Sequence, residues 1–236
     1  MAGISQDIES TNPVASLKIL ILGLLSVVAG TLLAAVVLPV WLPGLTTSIL
    51  GDAPKIYWYL SRGSALVGFA LLWLSMVFGL TVTNRLARLW PGGPAAVDLH
   101  QYVSLLGLGF AVFHTLILLG DQYMKSSLAQ VLVPFANQNY RPVWVGVGQI
   151  AIYIWALVIG SFYIRKKISG KTWRWIHYTS FLAFAAVIVH GFFSGTDSGT
   201  VWANGMYWFA GISILFLLYY RILVTVGNKK KPRAAK

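Results

Sequence analysis

Cysteine is absent from all 236 residues. That excludes disulfides, thiolate-held iron–sulfur clusters and thioether attachment of a c-type haem within this chain. Acid is scarce as well: six aspartates and glutamates stand against 18 lysines and arginines, for a formal net charge of +12. The six are Asp7, Glu9, Asp52, Asp98, Asp121 and Asp197, and none falls at the middle of an apolar run. A proton pump or cation transporter usually needs a carboxylate at mid-depth, and many transporters break their helices there. Neither sign is present, so a transporter or channel is the weakest function class. No Gly-x-Gly-x-x-Gly follows a strand and no phosphate loop occurs, so nucleotide or flavin chemistry must belong to another polypeptide.

Charged residues of any kind make up only 10% of the chain, whereas 57% are hydrophobic. A soluble domain carries about 25% charge, so the chain is read as an integral membrane protein. Six apolar runs are long enough to cross: Leu17–Val40, Leu60–Val82, Leu99–Leu119, Trp144–Ile164, Trp173–Phe193 and Val201–Val226. Each is near the ~20 residues a spanning helix needs. They are continuous, not alternating, which argues for helices and against a β-barrel. The expected fold is an all-α bundle of six transmembrane helices over residues 17–226. A polar lead-in (1–16) precedes it and a basic tail (227–236) follows.

The first run is read as a helix and not as a signal peptide. Acids precede it where a basic segment would be expected, and Pro39 and Pro43 follow without an Ala-x-Ala-like site. Basic residues then orient the bundle. Arg85, Arg88, Arg165, Lys166, Lys167, Lys171, Arg174 and the tail Lys229, Lys230, Lys231, Arg233 and Lys236 all fall on one side of a six-helix chain. The opposite loops hold Lys55, Arg62, Lys125 and Arg141. The positive-inside rule puts both termini in the cytoplasm. The positive charge is thereby accounted for by topology and lipid headgroups, and nucleic acid is not an expected partner. Residues 41–59 and 120–143 become outer loops, the latter with an interfacial segment at Ser127–Ala136. Pro91–Pro94 becomes a tight inner turn, and Ser194–Thr200 a polar outer turn.

Histidine is the residue type that carries chemistry here. There are four, His100 and His114 on the third run and His177 and His190 on the fifth. At about 1.5 Å per residue each pair spans roughly 20 Å of helix, most of the ~30 Å hydrocarbon core. The third and fifth helices run parallel in a six-helix topology. By depth, His100 therefore pairs with His177 near the cytoplasmic face, and His114 with His190 near the outer face. Neutral imidazole is a good axial ligand for haem iron. Two stacked bis-histidine haems between these helices would make a transmembrane electron wire. The angles are uneven: at ~100° per residue, 14 positions return to within about 40° of the same face, whereas 13 leave about 140°. The bland alternative is a set of buried histidines bonded to neighbours.

Gly107 and Gly109 would admit either a porphyrin or a neighbouring helix. Trp173, Trp175, Tyr178, Tyr102 and Tyr153 read as interface aromatics and core. Arg62, at the outer end of the second helix, could bind a haem propionate through its fork or simply anchor the interface. Arg85, Arg88 and Arg174 read as topology residues.

These features resemble the ferric reductase-like transmembrane domain from about Tyr57 to Leu223. That superfamily includes the membrane portions of NADPH oxidases and ferric-chelate reductases. It also includes the haem-binding membrane subunit of the bacterial methionine sulfoxide reductase system. The resemblance is carried by His100-x13-His114, by His177-x12-His190, by the basic stretch RKKISGKTWRWIH leading into His177, and by Arg62. It implies two non-covalent b haems in the depth pairing above and a bacterial inner (plasma) membrane. It also implies electron transfer from a cytoplasmic-side donor through inner and outer haem to an external acceptor. Fused flavin and nicotinamide domains are missing from these residues, so the resemblance implies a separate flavin reductase, periplasmic enzyme or quinone as partner. Whether the chain is itself an enzyme is left open, since it would be the electron-transfer subunit of an oxidoreductase. The alternative is an accessory subunit of a larger membrane complex with no redox turnover of its own.

Overall fold

Serine and proline set where the helices begin. In the computed structural model, the described residues are 12–44, 56–84, 86, 92–121 and 124–229, with backbone alone for 227–229. Most of the lead-in, the loop 45–55, Arg85, Arg88, Pro91 and the tail from 230 lie outside the described residues.

Six helices are long and apolar enough to cross a membrane. They are α1 (Leu17–Trp41), α2 (Ile56–Thr83), α3 (Gly93–Ile117), α5 (Pro142–Ile164), α6 (Gly170–Ser194) and α7 (Val201–Lys229). A short helix α4 (Leu128–Leu132) lies between α3 and α5. No strand occurs among the described residues, so the chain is an all-helical membrane bundle.

The starts differ from the apolar runs for a simple reason. Hydropathy misses the polar or turn-forming first turn. Helix α6 begins at Gly170, three residues before Trp173, because Ser169 caps it: its Oγ accepts from Thr172 N–H at 3.0 Å. Helix α3 begins at Gly93, six residues before Leu99. Pro94 sits in its first turn, and Gly92 turns the chain at φ +104°, a conformation that favours glycine. Helix α1 is interrupted by a π-turn at Leu33–Val37, just before Pro39. Proline lacks the N–H that would continue the ladder. The Tyr57 hydroxyl donates to the Ala34 carbonyl at 3.1 Å, so a displaced acceptor in the bulge finds a partner.

The bundle is built from two antiparallel hairpins. Helix α2 lies along α3, and α5 along α6; α1 leans on α3, and α7 on α2 and α6. The central core is Phe69, Leu72, Leu108, Trp155, Phe184 and Ile214. Phe69 and Phe184 stack at 6.3 Å. A Cβ on Gly107 would come within 2.8 Å of the Trp155 indole, so this glycine receives a neighbouring helix's side chain. The outward faces of α1 and α7 remain apolar and exposed, as in Leu22, Trp208, Phe209 and Leu215, which suits contact with lipid.

Candidate cofactor site

The hairpin geometry brings the four histidines together in two places. The rings of His100 and His177 lie 6.1 Å apart, centre to centre, at 72°. Those of His114 and His190 lie 6.2 Å apart at 71°. Because both pairs meet, α3 and α6 run parallel. The His114–His190 end is termed outer and the His100–His177 end inner.

Three of the four imidazoles are held by a backbone carbonyl of the neighbouring helix. His100 Nδ1 lies 2.8 Å from the Ser75 carbonyl, His114 Nδ1 2.8 Å from that of Ser61, and His190 Nδ1 2.8 Å from that of Trp144. A carbonyl only accepts, so Nδ1 carries the proton in each case and Nε2 is left with its lone pair. Serine hydroxyls reinforce two of them. Ser61 Oγ is 2.9 Å from His114 Nδ1 and donates to the His114 carbonyl at 3.1 Å. Ser75 Oγ lies 3.2 Å from His100 Nδ1 and 2.6 Å from Ser104 Oγ.

A carbonyl already inside a helix is reachable from the side only if the residue four positions on is small, since its Cβ leans back over that carbonyl. The residues four on from Ser61, Ser75 and Trp144 are Ala65, Gly79 and Gly148. A Cβ on Gly148 would stand 2.5 Å from His190 Nδ1, and one on Gly79 would stand 3.3 Å from the His100 ring. These small residues are what lets each ring settle against the opposite helix.

His177 is held differently. Trp173, one turn earlier on α6, stacks on it at 5.2 Å and 30°, and no carbonyl bond to its Nδ1 is found among the described residues. Trp173 is buried, whereas Trp175, Tyr178, Tyr102 and Tyr153 are exposed.

Two imidazole rings at this separation suit a metal. A metal–imidazole bond is roughly 2 Å, and the ring centre lies about 1 Å further back. A metal held between two rings thus asks for centres about 6 Å apart, the separation found at both places. No group of three or more His, Cys, Asp or Glu side chains that could hold a metal forms among the described residues. A metal held by two imidazoles would need its remaining ligands from a flat macrocycle. The donor set and the apolar walls fit a bis-histidine haem.

A cavity opens beside the outer pair, lined by His114, His190, Trp155, Tyr207, Arg62 and Asp197 among others. Arg62 is there, with its guanidinium engaged: Nε donates to Asp197 Oδ2 at 3.1 Å, and a second nitrogen donates to Oδ1. The outer loop closes the cavity's rim through buried Gln149. Its Nε2 donates to the Gln130 and Val131 carbonyls, both at 2.8 Å, and its Oε1 accepts from Phe135 N–H at 3.2 Å. At the inner end, beyond α5, Arg165 sits over the Phe162 ring at 3.8 Å, and burial lowers its pKa from the usual arginine value.

Sequence reasoning missed Ser61, Ser75, Trp144, Asp197 and the small residues beneath the rings. A signal existed for the first two: Ser61 and Ser75 are 14 apart, the same interval as His100 and His114, and each precedes a small residue by four.

A family model described as the ferric reductase like transmembrane component matches residues 64–189. The matched span contains His100, His114 and His177 and ends one residue before His190. No curated protein and no solved structure matches the chain.

Proposed function

The chain belongs to the ferric reductase-like transmembrane family, and on that premise we propose that it is a transmembrane b-type cytochrome subunit carrying two bis-histidine haems. His100 and His177 hold the inner haem, and His114 and His190 the outer one. The observation that carries the reading is the ring separation, 6.1 and 6.2 Å, at two sites on the same two helices.

Haem supplies a reversible one-electron carrier at each site. The chain's own residues do the rest. The carbonyls of Ser61, Ser75 and Trp144 fix the Nδ1–H tautomer and aim Nε2 of three histidines. The Phe69, Trp155 and Phe184 layer between the sites keeps water and ions from following the electron. Arg62, which lines the outer cavity, would hold a propionate of the outer haem, with Asp197 sharing its fork. Electrons enter from a donor on the cytoplasmic side, a flavoprotein or quinone outside these 236 residues, and leave to an external acceptor. Both termini are cytoplasmic, in a bacterial inner membrane.

Purified protein should show a reduced b-type spectrum with about two haems per chain. Replacing His114 and His190 together should remove one haem and leave the other. Unchanged haem content in that double variant would sink the outer-site assignment.

A further inference from the structure

The two sites are not equivalent. At the outer site both imidazoles donate Nδ1–H to a backbone carbonyl; at the inner site His100 alone does so. We propose that the inner site holds its haem at the higher reduction potential of the two, with Arg221 adding to the difference. The proposal rests on the two-haem reading above.

Ligand basicity differs between the two sites. An imidazole that donates a hydrogen bond from Nδ1 is the more basic ligand at Nε2. A more basic axial ligand favours the ferric ion and lowers the potential. The outer site has two such ligands and the inner site has one. His177 has the Trp173 indole on its face instead, an apolar neighbour that adds no electron density through a hydrogen bond.

The asymmetry follows from spacing. On α3 the histidines are 14 apart, and so are their acceptors on α2, Ser75 and Ser61. Both rings therefore share one face. On α6 they are 13 apart, which leaves the second ring roughly 140° round the helix. His190 meets the Trp144 carbonyl of α5, whereas His177 meets no carbonyl of α5 among the described residues. The Val158 carbonyl, at the corresponding depth on α5, already accepts from Ser161 Oγ at 2.7 Å.

Charge differs between the sites as well. Arg221 is carried into the span by α7, one turn beyond Leu217, whose carbonyl accepts from Asn84 Nδ2 at 3.1 Å at the inner end of α2. An ion pair joins Arg62 to Asp197. The cation near the outer site is thereby neutralised, while Arg221, at the inner end, is paired with no acid among the described residues. A nearby positive charge favours the reduced haem, which carries one more electron, and raises its potential. Exposed Lys166 and Lys167 on the same side add to the field. An electron entering from the cytoplasm then rests at the inner site. Its outward step is drawn by the external acceptor and by a membrane potential negative inside.

Potentiometric titration of the purified haem-loaded chain, followed at the reduced α-band, tests this. His190→Ala leaves the inner wave and His177→Ala the outer wave, which assigns each. The inner wave should titrate above the outer one. Arg221→Gln should lower the inner wave and leave the outer in place, whereas Arg221→Lys, which keeps the charge, should hold both. Asp197→Asn, independent of Arg221, should raise the outer wave and narrow the gap. An inner wave at or below the outer, an inner wave indifferent to Arg221→Gln, or a gap unchanged by Asp197→Asn overturns the proposal. A chain that binds no haem, or whose spectrum neither histidine variant alters, overturns the two-haem reading instead.

Discussion

A single missing methyl group decides whether a histidine can face its neighbour helix. Gly148 and Gly79 occupy equivalent places, each four residues beyond a carbonyl that accepts from a histidine. They differ in room. The same change to alanine puts a Cβ 2.5 Å from His190 Nδ1 in one case and 3.3 Å from the His100 ring in the other. The first contact is impossible without moving the imidazole off the Trp144 carbonyl; the second needs a shift of a few tenths of an ångström. Gly148→Ala should therefore purify with roughly half the haem of the parent, the outer portion being lost, and Gly79→Ala with nearly all of it. The haem-to-protein ratio measured by haemochrome absorbance checks this, and equal ratios for the two variants would contradict the packing argument. Neither glycine stands out in the sequence, because a chain with 23 glycines does not say which of them lies under a ring 42 residues away.

At the scale of elements, the outer loop is tied down by one side chain. Gln149 is 6% exposed and spends its amide on three backbone groups around α4. Gln149→Leu keeps the size but strands two carbonyls and one N–H in a buried place. An unsatisfied buried polar group costs about 1–3 kcal/mol, so a loss of roughly 3 kcal/mol is expected, confined to this region. Hydrogen exchange at Val131–Phe135 should accelerate by about two orders of magnitude, since every ~1.4 kcal/mol is tenfold, while the α3 and α6 cores stay protected. Uniform acceleration throughout the bundle would mean that Gln149 supports the whole fold and not the loop. The sequence expected Ser127–Ala136 to lie at the interface without spanning. Its capping pair, Ser127 and Gln130, does start a five-residue helix there. What holds that helix, a glutamine 19 residues on, had no local signature.

For the molecule as a whole, the question is orientation. The basic connection between α5 and α6 and the polar turn between α6 and α7 must face opposite sides, because α6 crosses between them. A chain without cysteine offers a clean background for labelling. Lys166→Cys and Thr196→Cys both fall on exposed positions. With a membrane-impermeant maleimide applied to spheroplasts, Thr196→Cys should label at once and Lys166→Cys only after permeabilisation. The reverse order would overturn the positive-inside orientation.

The sequence by itself determined that this protein is a bundle of membrane helices. Runs of ~20 apolar residues leave the backbone no solvent to bond with, so each run must satisfy its own N–H and C=O groups as a helix. It also carried depth: rise per residue is fixed, so intervals of 13 and 14 residues place histidines near both ends of two helices. Rotation was another matter. The sequence offered two intervals that fall on different faces of an ideal helix, and only the packing of α2 on α3 and α5 on α6 decided what each ring meets. Hydrogen-bond partners separated by 25 to 53 residues, and an ion pair across 135, are properties of interhelical register. Register depends on small residues, crossing geometry and side-chain fit summed over whole interfaces, which no local pattern records.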